Sequence, residues 1–123
     1  NYVAAEHFHV VSEEDVPTGR HILSAEFRPT GPAEPLKGRG TPAHITLFID
    51  GRPVGEGDLP VTIPLIMGLA SGVSVGRDAG SPVTDEYAPP YPFTGTLHRV
   101  VYDVSGELVV DHEAEIRIAL ARQ

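Results

Sequence analysis

The stretch AHITLFIDGRPVGE, residues 43–56, decides the architecture. Ala43, Ile45, Leu47 and Ile49 recur at every second position, which gives an extended chain one apolar face. Asp50-Gly51 follows at once, and Asp-Gly between apolar runs marks a two-residue hairpin turn. Residues 52–56 then read as the returning strand. The period is that of a half-buried sheet, not of a helix.

Outward from this hairpin the same alternation continues. In RHILSAEFR, residues 20–28, Leu23, Ala25 and Phe27 point one way while Ser24, Glu26 and Arg28 point the other. LPVTIPLIM, residues 59–67, is apolar but interrupted by Pro60 and Pro64. Proline cannot donate to a ladder, so an edge or a bulge is expected there. Residues 73–76 predict a brief strand. TGTLHRVVYDV, residues 94–104, predicts the longest one, being β-branched and aromatic throughout, with a turn at Ser105-Gly106.

Two segments read as loops. Residues 29–42 (PTGPAEPLKGRGTP) are too rich in proline and glycine for regular structure and are expected to be mobile. Residues 78–92 are irregular too, but Tyr87 and Tyr91 give them something to pack with, so order is expected. In the tail, residues 111–123, Ile116, Ile118 and Leu120 alternate as in a strand. The helix formers around them, and Asp111 as a cap, favour a short C-terminal helix. The expectation is therefore all-β: a two-sheet antiparallel sandwich or jelly roll, one domain over residues 1–123, with that helix at its end. Phe27, Leu47, Ile49, Leu97 and Val101 are the expected core.

Composition agrees and narrows the function. A chain of 123 residues suits one hydrophobic core. Gly 13 and Pro 12, against an apolar share of 41%, point to many turns between short strands. A net charge of −8 disfavours a nucleic-acid partner or an anionic membrane surface. Without cysteine there is no disulfide, thiolate metal site or thiol nucleophile. No apolar run has the length of a membrane span, and no signal-peptide pattern is visible. The chain starts at Asn1 and reads as a processed product or excised fragment.

The search for chemistry yields little that could act alone. GRGTPA, residues 38–43, matches a Gly-x-Gly-x-x-Ala phosphate loop in letters, but a strand follows it where a helix is required. His7 and His9 fall on one face of a strand within reach of one metal ion, yet supply two ligands and no third is identifiable. His21, His44, His98 and His112 are scattered. Asp78, Asp85 and Glu86 concentrate carboxylates in the second loop, where oxygen ligands could hold calcium. The plainer reading has Asp78 accepting backbone N–H bonds from residues 80–83. No Gly-x-Ser-x-Gly elbow occurs. Tyr87, Tyr91 and Phe93 form the expected recognition surface of the loop, and Tyr2 and Tyr102 are further aromatics that could stack on a sugar.

Beyond residue 45 the wording becomes specific. ITLFIDGRPVGEGDLPVTIP (45–64), VSVGRDAGSPVTDEYAPPYPFTGTLHRVVYDV (73–104) and EAEIRIALARQ (113–123), with GRHILSAEFRPT (19–30), resemble the C-terminal end of bacterial formylglycine-dependent arylsulfatases. The hairpin and the Phe-Thr-Gly-Thr-Leu segment are also similar to laminin-G and concanavalin-like jelly rolls. The resemblance implies a parent enzyme that hydrolyses sulfate esters with a formylglycine and a calcium ion in a separate, larger catalytic domain. That domain would be this chain's partner. None of the machinery carries over: there is no cysteine, and no serine has Pro or Ala two residues later. Residues 1–123 are thus expected to be a non-catalytic accessory domain that caps the catalytic domain, lines its substrate entrance or supports homo-oligomer contacts. The alternative is an independent glycan- or calcium-binding module. The resemblance is bacterial and leaves the compartment open, whether cytoplasm, periplasm or cell envelope.

Overall fold

The structure is a computed structural model that describes residues 6–63, 74–78, 82 and 84–104. The chain divides into two compact units, Asn1–Ala70 and Ser71–Gln123. Every ladder is antiparallel and no α-helix occurs among the described residues, so the class is all-β. No helix there is long and apolar enough to cross a membrane. The expected C-terminal helix and the turn at Ser105-Gly106 lie outside the described residues.

In the first unit, β1 (Leu23–Pro29), β2 (Ala43–Ile49) and β3 (Arg52–Leu59) form one sheet in the order β1-β2-β3. Asp50 and Gly51 have φ of 52° and 79°, the two left-handed residues that a tight hairpin matched to strand twist requires. Asp50 also ties the turn to the start of β1. Its N–H donates to the Ile22 carbonyl at 2.8 Å, and its carboxylate accepts the Ile22 N–H at 2.9 Å.

The register fixes which face is which. Leu23, Ala25, Phe27 and Pro29 stand opposite Ile49, Leu47, Ile45 and Ala43, so the apolar sets of both strands share one face. Thr46 and His44 stand between Glu26 and Arg28 on one side and Glu56 and Asp58 on the other, giving a polar reverse face. Leu47 pairs with Gly55 but Phe48 with Pro53, which leaves Val54 as the extra residue of a bulge. The bulge sits beside Pro53, a proline on an edge strand. Leu59 ends β3 immediately before Pro60, and residues 64–67 of that apolar run lie outside the described residues.

A second layer reaches the apolar face over β3. Glu13 donates its N–H to the Val54 carbonyl at 2.7 Å, and the preceding residues cross above Gly55 and Gly57. Ile49 and Val54 are buried, Ala43 is fully enclosed, and Val61 is buried as well. Leu47 is half-buried. Phe27 is not core: it stays half exposed, as does Leu23, because among the described residues nothing lies over β1.

Residues 29–42 are more regular than their composition suggests. Pro35–Lys37 make a short 3-10 turn closed by Gly38 at φ 71°, and Glu34 and Arg39 exchange backbone bonds of 2.7 and 3.1 Å. Gly40 is buried, with its N–H 2.7 Å from the Thr62 carbonyl. A Cβ on Gly40 would stand 2.5 Å from Thr62 Oγ1. Chain packing, rather than phosphate, accounts for this glycine.

The second unit holds a two-residue ladder, β4 (Arg77–Asp78) against β5 (Tyr91–Pro92). The strand expected over residues 73–76 is not formed among the described residues: β4 begins at Arg77, just past its expected end, and Gly76 takes φ 77°, a left-handed value incompatible with a strand; residue 73 lies outside the described set. The long strand expected over 94–104 is absent: those residues join no ladder among the described residues. Leu97 and Val101, expected in the core, are 50% and 70% exposed. β-propensity reflects fit against neighbouring strands, and among the described residues no neighbour is there to be fitted.

Candidate functional site

The loop between β4 and β5 brings together most of the residues expected there. Register sets Asp78 opposite Tyr91 and Arg77 opposite Pro92, and Phe93 donates its N–H to the Gly76 carbonyl at 2.8 Å. Tyr87 folds back onto this ladder: its ring lies 4.9 Å from that of Tyr91 at 37°, and its hydroxyl donates to the Asp78 carboxylate. An aromatic pair at this separation is favourable beyond its buried area. The hydroxyl bond is charge-assisted, so it holds the Tyr87 ring against the strand pair.

The result is a wide, shallow cleft of about 410 Å³ lined by Ser74, Gly76, Arg77, Asp78, Tyr87, Tyr91 and Phe93. Tyr91 and Phe93 remain 61% and 56% exposed, so part of each side chain is open to a partner. Such a cleft can bind. Asp85 and Glu86 are not part of the lining. They are exposed in a turn closed by the Glu86 N–H on Thr84 Oγ1 at 3.0 Å. Among the described residues no three His, Asp or Glu side chains gather where they could hold a metal ion. The expected bonds from Asp78 to residues 80–83 fall mostly outside the described residues. His7 and His9 do meet, ring to ring, 6.3 Å apart at 85°.

Two further polar clusters sit on the first unit. His21 Nδ1 lies 2.7 Å from Asp50 Oδ2, and its other nitrogen lies 3.5 Å from the Thr18 carbonyl. The Asp50 bond, then the Thr18 carbonyl, raises the His21 pKa above its ordinary value, while the same bond lowers that of Asp50. On the polar face His44 Nδ1 lies 2.7 Å from Asp58 Oδ1 and Nε2 3.6 Å from Glu56 Oε2, so its pKa is raised too, chiefly by Asp58. Sequence reading missed both clusters. Their signal was present in the hairpin, since once the register is known His44 and Asp58 must be cross-strand neighbours. Arg77 and Ser74 were missed as cleft residues because sequence position does not reveal which backbone folds back. Comparison with protein-family models, characterised proteins and solved structures finds no match to this chain.

Proposed function

We propose that this chain is a non-catalytic accessory part of a larger sulfuric ester hydrolase of the formylglycine-dependent arylsulfatase kind, folded there as part of a jelly-roll-like sandwich. Its partner is the catalytic domain of the same polypeptide, against which it packs. The resemblance in residues 19–30, 45–64, 73–104 and 113–123 supports this reading, and one structural observation carries it: the apolar face of the sheet is covered over β3 but, among the described residues, not over β1. Leu23 is 54% and Phe27 50% exposed, although each is in register with an apolar residue of β2. A sheet face patterned in this way is completed by a second layer, which the larger polypeptide supplies.

The residues present do not fit the groups the parent enzyme would use. There is no cysteine or suitably placed serine to become formylglycine, and the described residues assemble no cation site. On this reading the chemistry is supplied by the proposed catalytic domain. Two experiments test the reading together. The complete reading frame should encode a Cys/Ser-x-Pro/Ala-x-Arg signature upstream, and the purified 123-residue chain should release no sulfate from an aryl sulfate. Turnover by the chain alone, surviving repurification, sinks the proposal, as does a reading frame with no such signature.

The cleft favours one second reading, an independent glycan-binding module, because it exposes two aromatic side chains beside Arg77 and Asp78. Calorimetric titration of the isolated chain with sulfated sugars, with and without calcium, separates the two. Saturable heat that Tyr91→Ala abolishes selects the module.

A further inference from the structure

The two outer edges of the sheet are treated differently. β3 is met at Val54 by the N–H of Glu13, whereas all seven residues of β1 are exposed. The direction of the free backbone groups on β1 follows from three bonds. Ile22 accepts the Asp50 N–H and donates to the Asp50 carboxylate, and Thr30 donates to the Pro42 carbonyl, so the even-numbered residues turn their polar groups toward β2. By the alternation of an antiparallel ladder, Leu23, Ala25, Phe27 and Pro29 turn theirs outward. An outward row of this kind is a template for another strand.

We infer that the occupant is a second copy of this chain, its β1 paired antiparallel with β1 about a two-fold axis that passes between the two Phe27 residues. Hydrogen-bonded partners must both be outward residues, which restricts the central registers to three. One places Glu26 against the partner's Glu26, a like-charge contact. Another places Ala25 against the partner's Ala25 and leaves Arg28 opposite an apolar Ile22. The register centred on Phe27 sets Glu26 opposite the partner's Arg28 twice, in the close non-hydrogen-bonded positions, and brings the two Phe27 rings together on the apolar face. Glu26 already holds Arg28 of its own strand at 3.0 Å, so pairing makes a four-charge ring. Pro29 supplies no N–H but its carbonyl accepts from the partner's Ala25, and it stops the pairing from extending further. The contact uses the edge of the sheet, while the proposed packing on a catalytic domain uses its face. The two stand or fall separately.

Charge reversal tests it on the full 123-residue chain. Sedimentation at physiological salt should show the mass rising from 13.1 kDa toward twice that value as concentration increases. Glu26→Arg alone and Arg28→Glu alone should each remain monomeric at every concentration. An equimolar mixture of the two should dimerise, because positions 26 and 28 are both basic in one variant and both acidic in the other, so every cross-strand pair is then of opposite charge. The double variant E26R/R28E should dimerise by itself, which keeps the test sound if a single variant folds poorly. A parent chain that stays monomeric throughout overturns the inference. So does dimerisation that both single variants retain.

Discussion

Gly55→Ala tests whether the segment ahead of β1 is a working layer of the first unit. A Cβ at residue 55 would stand 2.4 Å from the Val11 carbonyl oxygen, 3.1 Å from its carbon and 3.2 Å from Ser12 Cα. These are main-chain atoms, so no rotamer change relieves the contact, and residues 10–13 must lift from β3. Overpacking of this kind costs about 1–3 kcal/mol. Losing the Glu13–Val54 bond adds about 1 kcal/mol. The reduced freedom of the unfolded chain returns about 0.4–1 kcal/mol. The net expectation is destabilisation by about 1–3 kcal/mol in urea unfolding, accompanied by faster exchange of the Glu13 amide hydrogen. Gly57→Ala is the matched control. Its nearest neighbour is Val10 Cγ2 at 3.0 Å, the end of a side chain that can rotate, so the change should stay within about 0.5 kcal/mol. If Gly55→Ala costs no more than Gly57→Ala and Glu13 keeps its protection, the layer is not where the register places it.

The sheet predicts unequal costs on one face: Ile49→Ala should destabilise by about 2–4 kcal/mol, while the exposed Phe27→Ala should cost less than about 1 kcal/mol in the isolated chain, as denaturant midpoints will show. The His21 pKa is raised, so its contribution to stability is fully present below about pH 6.5 and is lost as pH climbs through the folded-state value; that of Asp50, lowered from 3.8, is lost at the acid end as pH falls through its own. Asp50→Asn retains a residue suited to the left-handed turn but should return the His21 midpoint toward 6.5 in an NMR titration, and an unmoved midpoint contradicts the pairing. Tyr87→Phe preserves the ring against Tyr91 and removes the hydroxyl bond to Asp78, for an expected loss of about 0.5–1.5 kcal/mol in a thermal melt. Equal stability of Tyr87→Phe and parent places that hydroxyl in water.

The hairpin was legible because three signals agree in it: alternation over residues 43–49, Asp-Gly at the turn, and a matching apolar alternation on β1. The segment 94–104 was misread because its β-branched residues state a preference that only a neighbouring strand can satisfy. Phe27 was misplaced for a related reason. Alternation identifies the apolar face of a strand but not whether a second layer lies on it, and over β1 none does among the described residues. Within the candidate site, Tyr87, Tyr91, Phe93 and Asp78 were anticipated as loop neighbours by composition. The stacking of Tyr87 on Tyr91 and the entry of Arg77 depend on how the loop doubles back on a two-residue ladder, which no local pattern encodes.

Sulfate release by the complete polypeptide that carries this chain tests the central claim most directly, assayed with and without Phe27→Asp. On the proposed function the complete parent should hydrolyse an aryl sulfate, and Phe27→Asp should abolish that activity by placing a charge where a catalytic domain is proposed to cover β1. The same substitution should leave the melting temperature of the isolated chain nearly unchanged at concentrations where that chain is monomeric. No sulfate release by the complete parent, or full activity retained by Phe27→Asp, contradicts the account.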